Sequence, residues 1–361
     1  MNILVLNYEY PPVGGGGAAV CKDLCEIAAA QKNRVEIVTM SYKGLKKIEK
    51  KNGVTIHRIK CIRKSPRVCY PYEQLLWCIL AYHYIIKRRI YEFDIIHRHF
   101  IIPTGLLAYW LKKKFKIKYI ISAHGSDVIG HNKSRFKILY KLVKPIWIKI
   151  VNTADAVTAP SEYLINEMKD ICPGIKYTYI PNGIYVNQYP CKKKKRSIIT
   201  LSRLQKSKGI QDLIKAVSEI ELGDWEINIL GDGPYKKELE KMIIEKKLQD
   251  KVFLRGYVEG EIRKRYLDEA GIFFSGSRFE SFNLSLLEAT VSGSWIIATN
   301  IEPHQKLVNQ EHLYSDINEL IDKLSLAVKR CPIYVNYENE CYDWENIFHQ
   351  YNELYQSIKE K

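Results

Sequence analysis

Apolar positions along the chain fall into two alternating patterns. Short runs rich in Ile and Val, at 3–7, 35–40, 54–59, 94–97, 119–123 and 156–159, are separated by longer segments with apolar residues at helical spacing. The runs predict strands and the longer segments amphipathic helices, an alternation that predicts parallel βαβ units. The series restarts after the basic segment Pro190-Cys191-Lys192-Lys193-Lys194-Lys195-Arg196, with runs at 198–202, 225–230, 252–254, 272–274 and 295–299. Two doubly wound α/β domains are expected, joined by a polar linker at 187–196, with ligands bound in a cleft between the C-terminal ends of the two sets of strands. Asp343-Trp344-Glu345 opens a last segment, with Ile347, Tyr351, Leu354, Tyr355 and Ile358 at helical spacing, that reads as a helix packed on a core. The expected domains are 1–186 and 187–342, with 343–361 as a terminal helix.

Size agrees with this division, because 361 residues with 46% apolar content exceed what one core usually serves. The nine cysteines form no Cys-x-x-Cys pair and several lie in apolar stretches, as expected of reduced thiols in a cytosolic protein. The start, Met1-Asn2 followed by the short run Ile3 to Leu6, reads as a first strand and not as a signal peptide. The longest apolar stretch, 100–111, contains Pro103 and Gly105 and is shorter than the roughly 20 residues a spanning helix needs.

Charge changes the picture more than composition does. Residues 1–185 carry 30 Lys and Arg against 13 Asp and Glu, whereas the remainder carries 26 against 27, so the first half holds the whole excess behind the net +16. Such an imbalance predicts an anionic partner for the first domain: a membrane surface, a phosphorylated acceptor or nucleic acid. No nucleic-acid-binding motif accompanies it.

Candidate chemistry sits where predicted strands end. Tyr10-Pro11-Pro12-Val13-Gly14-Gly15-Gly16-Gly17 follows the first strand and precedes a helix, an arrangement that lets backbone approach a phosphate. Gly14, Gly16 and Ala19 fit a dinucleotide fingerprint, but Pro11-Pro12 lengthens the turn and the second strand ends Thr39-Met40-Ser41, without an acidic ribose ligand. Arg203 and Lys208, after the first strand of the second half, could neutralise a diphosphate. In Ser275-Gly276-Ser277-Arg278-Phe279-Glu280-Ser281-Phe282-Asn283-Leu284-Ser285-Leu286-Leu287-Glu288, Glu280 falls in a loop, Asn283 reads as an N-cap and Glu288 lies one turn into a helix. The N–H groups near Phe282, Asn283 and Leu284 could then receive phosphate oxygens, with a carboxylate on each side for hydroxyls. His97 and His99 form a His-x-His pair with no third ligand in evidence, and there is no Asp-x-Asp to hold a divalent ion against a diphosphate.

In the order of these segments, the chain resembles the retaining glycosyltransferases of family 4, which have the GT-B fold of two facing Rossmann-like domains. The likeness runs through the glycine loop, His124-Gly125-Ser126-Asp127, Pro160-Ser161, Ile180-Pro181-Asn182-Gly183, the Arg203 to Gly209 segment, Gly231-Asp232-Gly233-Pro234, Gly256-Tyr257-Val258, and Glu280 with Glu288. The resemblance implies that Arg203 and Lys208 stabilise the diphosphate, that Glu280 holds the donor sugar and that Glu288 binds the ribose diol. It further implies donor contacts from Gly15, Gly16, Gly17, Gly231, Phe282, Asn283 and Leu284, with His124, His99 and Asp127 on the acceptor side and the terminal helix crossing back to the first domain. The chain departs from the family at Ser281 and Asn283, where glycines are usual. It departs again at Gly293-Ser294-Trp295 and at Ile301-Glu302-Pro303-His304, which stands in place of a glycine pair.

The expected activity is transfer of a sugar, with retention of configuration and without a metal, from a nucleotide diphosphate sugar to a glycan or lipid-linked acceptor. UDP is favoured over GDP on family frequency, and the setting is the cytoplasm or the inner face of the cell membrane. A nucleotide-sugar epimerase of the same fold is the nearest alternative, and a basic nucleic-acid-binding protein a more distant one.

Overall fold

The computed structural model describes residues 1–130, 137–189 and 193–360, with backbone alone at 137–141. The chain divides into two compact units, Met1–Gly183 with Trp344–Lys361, and Ile184–Asp343. The first unit holds β1 (Asn2–Leu6), α1 (Gly16–Ala30), β2 (Arg34–Met40), β3 (Ile48–Lys51), β4 (Val54–Ile59), α2 (Pro71–Lys87), β5 (Ile95–His99), α3 (Thr104–Phe115), β6 (Lys118–Ser122), α4 (Lys137–Asn152), β7 (Ala156–Ala159), α5 (Glu162–Ile171) and β8 (Tyr177–Tyr179). The second holds β9 (Lys195–Leu201), α6 (Ile210–Val217), β10 (Glu226–Leu230), α7 (Lys236–Glu245), β11 (Val252–Gly256), α8 (Gly260–Glu269), β12 (Ala270–Ser275), α9 (Leu284–Val291), β13 (Trp295–Thr299), α10 (Glu302–Gln305), β14 (Leu313–Tyr314) and α11 (Ile317–Arg330). The terminal helix α12 (Trp344–Lys359) belongs to the first unit.

Both sheets are doubly wound, in the orders β3-β4-β2-β1-β5-β6-β7-β8 and β11-β10-β9-β12-β13-β14. All pairings are parallel except β3 with β4. Strand period explains the layers of the second unit: Ile198, Ile227, Ile229, Ile272, Phe274 and Ile297 form one core, and their neighbours Ile199, Leu230, Phe273, Ile296 and Ala298 form the other. In the first unit Leu4, Leu6, Val38, Ile96, Tyr119 and Ile121 pack with Trp77 of α2, Leu107 of α3 and Trp147 of α4. Helix ends follow local chemistry. The Ser161 side chain caps α5 through Leu164 N–H, and Asp316 accepts from the N–H groups of Asn318 and Glu319 at the start of α11.

Three strands were not expected. β3 is a largely exposed edge of sequence Ile-Glu-Lys-Lys, β8 spans three residues and β14 two, so none carries an apolar run. The expected linker also moves. The chain passes into the second unit after Gly183, Val186–Gln188 form a turn within that unit, and Lys195 and Arg196 already belong to β9. Pro190, Cys191 and Lys192 lie outside the described residues. The eight cysteines that are described are free thiols, and no helix among the described residues is long and apolar enough to cross a membrane. By unit, the basic excess is 32 Lys and Arg against 16 Asp and Glu in the first, and 24 against 24 in the second.

The terminal helix is seated by Trp344, Ile347, Phe348, Tyr351, Tyr355 and Ile358, all buried, and it packs on α1. Trp344 fits because Gly183 lacks a side chain: a Cβ there would lie 2.4 Å from the indole. Replacing Trp344 with Ala should destabilise the first unit by about 3–5 kcal/mol, the usual cost of emptying a buried aromatic site. Urea denaturation should show a clearly lower midpoint, and an unchanged midpoint would refute this seating of α12.

Candidate functional site

In the second unit the predicted residues gather at the C-terminal ends of adjacent strands, and glycines bring their loops together. A Cβ on Gly231, after β10, would lie 1.9 Å from the carbonyl oxygen of Ser202. One on Gly209, which has φ +66°, would lie 2.0 Å from that of Gly276, and one on Gly233 2.4 Å from that of Leu204. Only glycine permits backbone to approach backbone this closely. The loops after β9, β10 and β12 therefore form one surface.

On that surface Lys208 Nζ lies 2.6 Å from Glu280 Oε1, with both side chains less than one-fifth exposed. Arg203 is exposed and makes no ion pair among the described residues. Asn283 is the N-cap of α9, its Oδ1 accepting from Leu286 N–H at 3.1 Å. Its Nδ2 donates to Ser275 Oγ at 2.9 Å and faces His304 Nε2 at 3.0 Å, so the side chain is fully engaged and only its backbone N–H could meet a ligand. The Phe282 ring is also occupied, packing edge-on against Tyr342. The N–H groups of Leu284 and Ser285 precede the first intrahelical bond, and the α9 dipole adds to their positive end.

Glu288 is held in a way the sequence did not disclose. Arg263 of α8 grips both its carboxylate oxygens, Nη1 at 2.8 Å from Oε1 and Nη2 on Oε2, and the Tyr189 hydroxyl donates to Oε1 at 3.2 Å. Nothing in the order of residues pairs position 263 with 288; the two meet because α8 packs against α9. Burial, then the Glu288 charge beside it, pushes the Tyr189 phenol well above its ordinary range.

The first unit gathers a second group. Gly15 is the N-cap of α1, with no atom within 4 Å of where its Cβ would be. Gly16 is exposed like Gly15, whereas a Cβ on Gly17 would lie 2.7 Å from the Phe100 ring. That ring is tilted against His124 with centroids 4.7 Å apart, so the glycine loop, Phe100 and His124 are neighbours. His99 is buried beneath them, its Nδ1 2.9 Å from His124 Nε2. His97 stacks on His99 and is fixed by the Tyr355 hydroxyl at 2.6 Å and by Ser122 Oγ at 2.8 Å. Burial first, and then the neighbouring rings, keep His97 and His124 well below the ordinary imidazole range, so both are neutral.

Two acceptor-side candidates are engaged within the first unit. His99 is only 1% exposed and acts as a support under His124. Asp127 is engaged by backbone, Oδ1 accepting from His124 N–H at 2.9 Å and Oδ2 from Ile101 N–H at 2.6 Å, which ties the loops after β5 and β6 together. The same loops depend on Arg98, which the sequence did not single out. It is fully buried, donates to the carbonyls of Phe100 and Ile101 at 3.0 and 2.8 Å, and lies in space left by Gly105. Among the described residues no group of three His, Cys, Asp or Glu is arranged to hold a metal ion.

The comparisons with known proteins agree with this architecture. The sequence matches the family Glycosyltransferase Family 4 over residues 14–188 and the family Glycosyl transferases group 1 over residues 184–330. Alpha-monoglucosyldiacylglycerol synthase of Streptococcus pneumoniae is 26% identical over 229 residues, covering 58% of this chain and 52% of that protein. N-acetyl-alpha-D-glucosaminyl L-malate synthase of Bacillus anthracis is 26% identical over 311 residues, covering 81% and 77%. Among solved structures, sucrose-phosphate synthase from Thermosynechococcus elongatus superposes with a TM-score of 0.83 at 18% identity over 99% of both chains. Anabaena HepE, in complex with UDP and glucose, gives 0.76 at 15% identity over 99% of this chain and 100% of that one. With two family matches that together run from residue 14 to residue 330, and a GT-B fold in each solved relative, the chain belongs to the group 1 glycosyltransferases of family 4 and is a glycosyl-transferring enzyme.

Proposed function

We propose that this glycosyltransferase takes its sugar from a nucleotide diphosphate donor, a UDP-sugar in preference to a GDP-sugar, and passes it with retention to a hydroxyl of a glycan or lipid-linked acceptor. Assembly of cell-surface polysaccharide, lipopolysaccharide or a lipid-linked glycan is the setting. The observation that carries the reading is the Lys208–Glu280 pair at 2.6 Å beside the capped N-terminus of α9. A cation, a helix N-terminus and a carboxylate in one place suit a diphosphate joined to a sugar. The HepE structure with UDP and glucose supports the same donor class for a protein of this fold.

Breaking the anomeric C–O bond builds negative charge on the departing diphosphate. Lys208, Arg203 and the Leu284 and Ser285 N–H groups stabilise it where it develops, which removes the need for a divalent ion. Glu280, held by Lys208, accepts from sugar hydroxyls. Glu288, oriented by Arg263 and Tyr189, which occupy both positions on Oε1 and one on Oε2, keeps a lone pair on Oε2 for a ribose hydroxyl. Gly15 and Gly16, both exposed, leave room for donor atoms, while Gly17 and Gly231, whose side-chain space is taken by the Phe100 ring and the Ser202 carbonyl, offer their backbone. On the acceptor side neutral His124, braced by His99 and Asp127, offers a hydrogen bond to the incoming hydroxyl. Same-face attack is assisted by the leaving phosphate.

Removing either charged partner should cost transition-state stabilisation. Glu280→Ala and Lys208→Ala should each lower turnover at least about a hundredfold, the usual size of one preorganised electrostatic contact, with the fold retained. Turnover measured by release of the nucleotide diphosphate, with and without a chelator, tests this. Near-normal rates in either variant remove that residue from the site, and loss of wild-type activity to the chelator refutes the metal-free mechanism.

The first unit is the side that meets an anionic membrane. Ile62, Val68, Tyr70, Tyr72, Leu75 and Ile79 are exposed along α2 and the loop before it, while Trp77 and Ile85 on the other side of α2 are core. Lys60, Lys64 and Arg67 are exposed among them, and Glu73, the one acidic residue of 60–91, is buried as a backbone acceptor for Lys64 and Tyr70. An apolar ridge with flanking cations suits the headgroup boundary. Lys112, by contrast, is engaged with Asp155 and the Thr153 carbonyl, which leaves Lys113 and Lys114 as the exposed cations of that helix.

The protein should co-sediment with anionic but not neutral liposomes, and salt at roughly 0.5 M, which shortens the screening length to about 4 Å, should release it. Lys64→Glu with Arg67→Glu should weaken this binding without changing donor hydrolysis. Equal binding to neutral liposomes, or none to anionic ones, would refute the membrane partner in favour of a soluble acceptor.

A further inference from the structure

His304 occupies the segment where the chain departs from its family, on the short helix α10 after β13. It is completely buried, and both of its ring nitrogens are committed. Nδ1 lies 2.9 Å from the carbonyl oxygen of Thr299. A carbonyl can only accept, so Nδ1 carries the proton and Nε2 of the neutral ring is an acceptor. Nε2 faces Asn283 Nδ2 at 3.0 Å, and that amide group also donates to Ser275 Oγ. With both Nδ2 protons used in this way, Asn283 has a single orientation, the one that turns Oδ1 to Leu286 N–H and caps α9.

The chain of contacts therefore runs from the Thr299 carbonyl through His304 and Asn283 to the N-terminus of α9. Thr299 joins it from a second direction, since its hydroxyl donates to the Ser277 carbonyl at 2.5 Å in the loop that leads to Glu280. Glu280 and Lys208 are the charged groups whose fields reach the ring, with opposite effects, while burial dominates and holds the imidazole below its ordinary range.

We infer that His304 is a positioning residue for the donor diphosphate: it locks the Asn283 side chain as the cap of α9, and so keeps the Leu284 and Ser285 N–H groups aimed at the phosphates. This rests on the donor reading given above. Where a glycine pair would make room for a ligand, this chain places a buried imidazole that acts through its neighbour. Without the Nε2 acceptor, Asn283 keeps a donor with nothing to receive it, its amide is free to turn, and the helix end loses its fixed direction.

Titration calorimetry with UDP and with UMP, which lacks the distal phosphate, separates positioning from general damage. His304→Leu removes the acceptor and should weaken UDP binding roughly tenfold, about 1.4 kcal/mol, with UMP changed by less than about threefold. His304→Gln, which can accept at one end and donate at the other, should stay within about threefold of the wild type for both. Because His304 works through Asn283, the double variant Asn283→Ala with His304→Leu should bind UDP no more weakly than Asn283→Ala alone. His304→Asn, too short to reach Asn283, serves in place of His304→Leu if the latter does not fold. Equal losses of UDP and UMP, additive losses in the double variant, or wild-type UDP binding by His304→Leu would each overturn the proposal. A wild-type chain that binds neither UDP nor GDP would instead overturn the donor reading, and the role of His304 with it.

Discussion

Backbone approaching backbone at the C-terminal edge of the second sheet is the constraint from which the candidate site follows. Gly209 against Gly276, Gly231 against Ser202 and Gly233 against Leu204 each place a carbonyl oxygen where a Cβ would otherwise stand, at 2.4 Å or less. Parallel strands set about 4.8 Å apart leave their following loops crowded, and the crowding is relieved only where side chains are absent. Once the loops are joined, Lys208 and Glu280, 72 positions apart in sequence, share a hydrogen bond. A partly buried pair of this kind is weak evidence for stability, because desolvation offsets the Coulomb gain. Its value lies in direction, since each charge fixes the other beside the end of α9.

The first unit solves a different problem with the same economy of contacts. In its loops after β5 and β6 side chains pair with backbone groups: buried Arg98 with the Phe100 and Ile101 carbonyls, and half-buried Asp127 with the Ile101 and His124 N–H groups. Burial raises the Asp127 carboxyl, against the pull of those N–H groups, and lowers Arg98 to about 10. Both still act through hydrogen bonds that their charged forms make best. Beneath them the column His97, His99, His124 is anchored by Tyr355 of α12, so the terminal helix helps to set the ring that faces the glycine loop.

His99 and Asp127, named for the acceptor side, bond to His124 and to backbone, and several other residues that hold these groups in place were not named at all. Arg263, Tyr189 and Arg98 share a feature that explains this. Each is placed by another element, Arg263 and Tyr189 by Glu288 of α9 and Arg98 by the space that Gly105 of α3 leaves for it, and single-sequence patterns report periodicity and local turn chemistry without saying which helix lies beside which. His304 is intermediate: its segment was visible as a departure from the family pattern, but its bond to Asn283 spans 21 positions and depends on how α10 returns to α9.

What the sequence determined by itself was periodic or local. Alternating β-branched runs and amphipathic segments specified two doubly wound units, because a strand buried on both faces must be apolar throughout and a covering helix on one side only. Asn283 as a cap, Glu288 one turn into its helix, and Arg203 and Lys208 at a strand end were readable for the same reason, each being fixed by its immediate neighbours. Strands β3, β8 and β14 were not readable, since edge positions stabilised by pairing need no apolar run. Only the tertiary structure decided that Lys208 meets Glu280, that Arg263 holds Glu288 and that His304 locks Asn283. Those contacts arise when loops and helices distant in sequence are pressed together by the packing of the two cores, and no local pattern encodes that proximity.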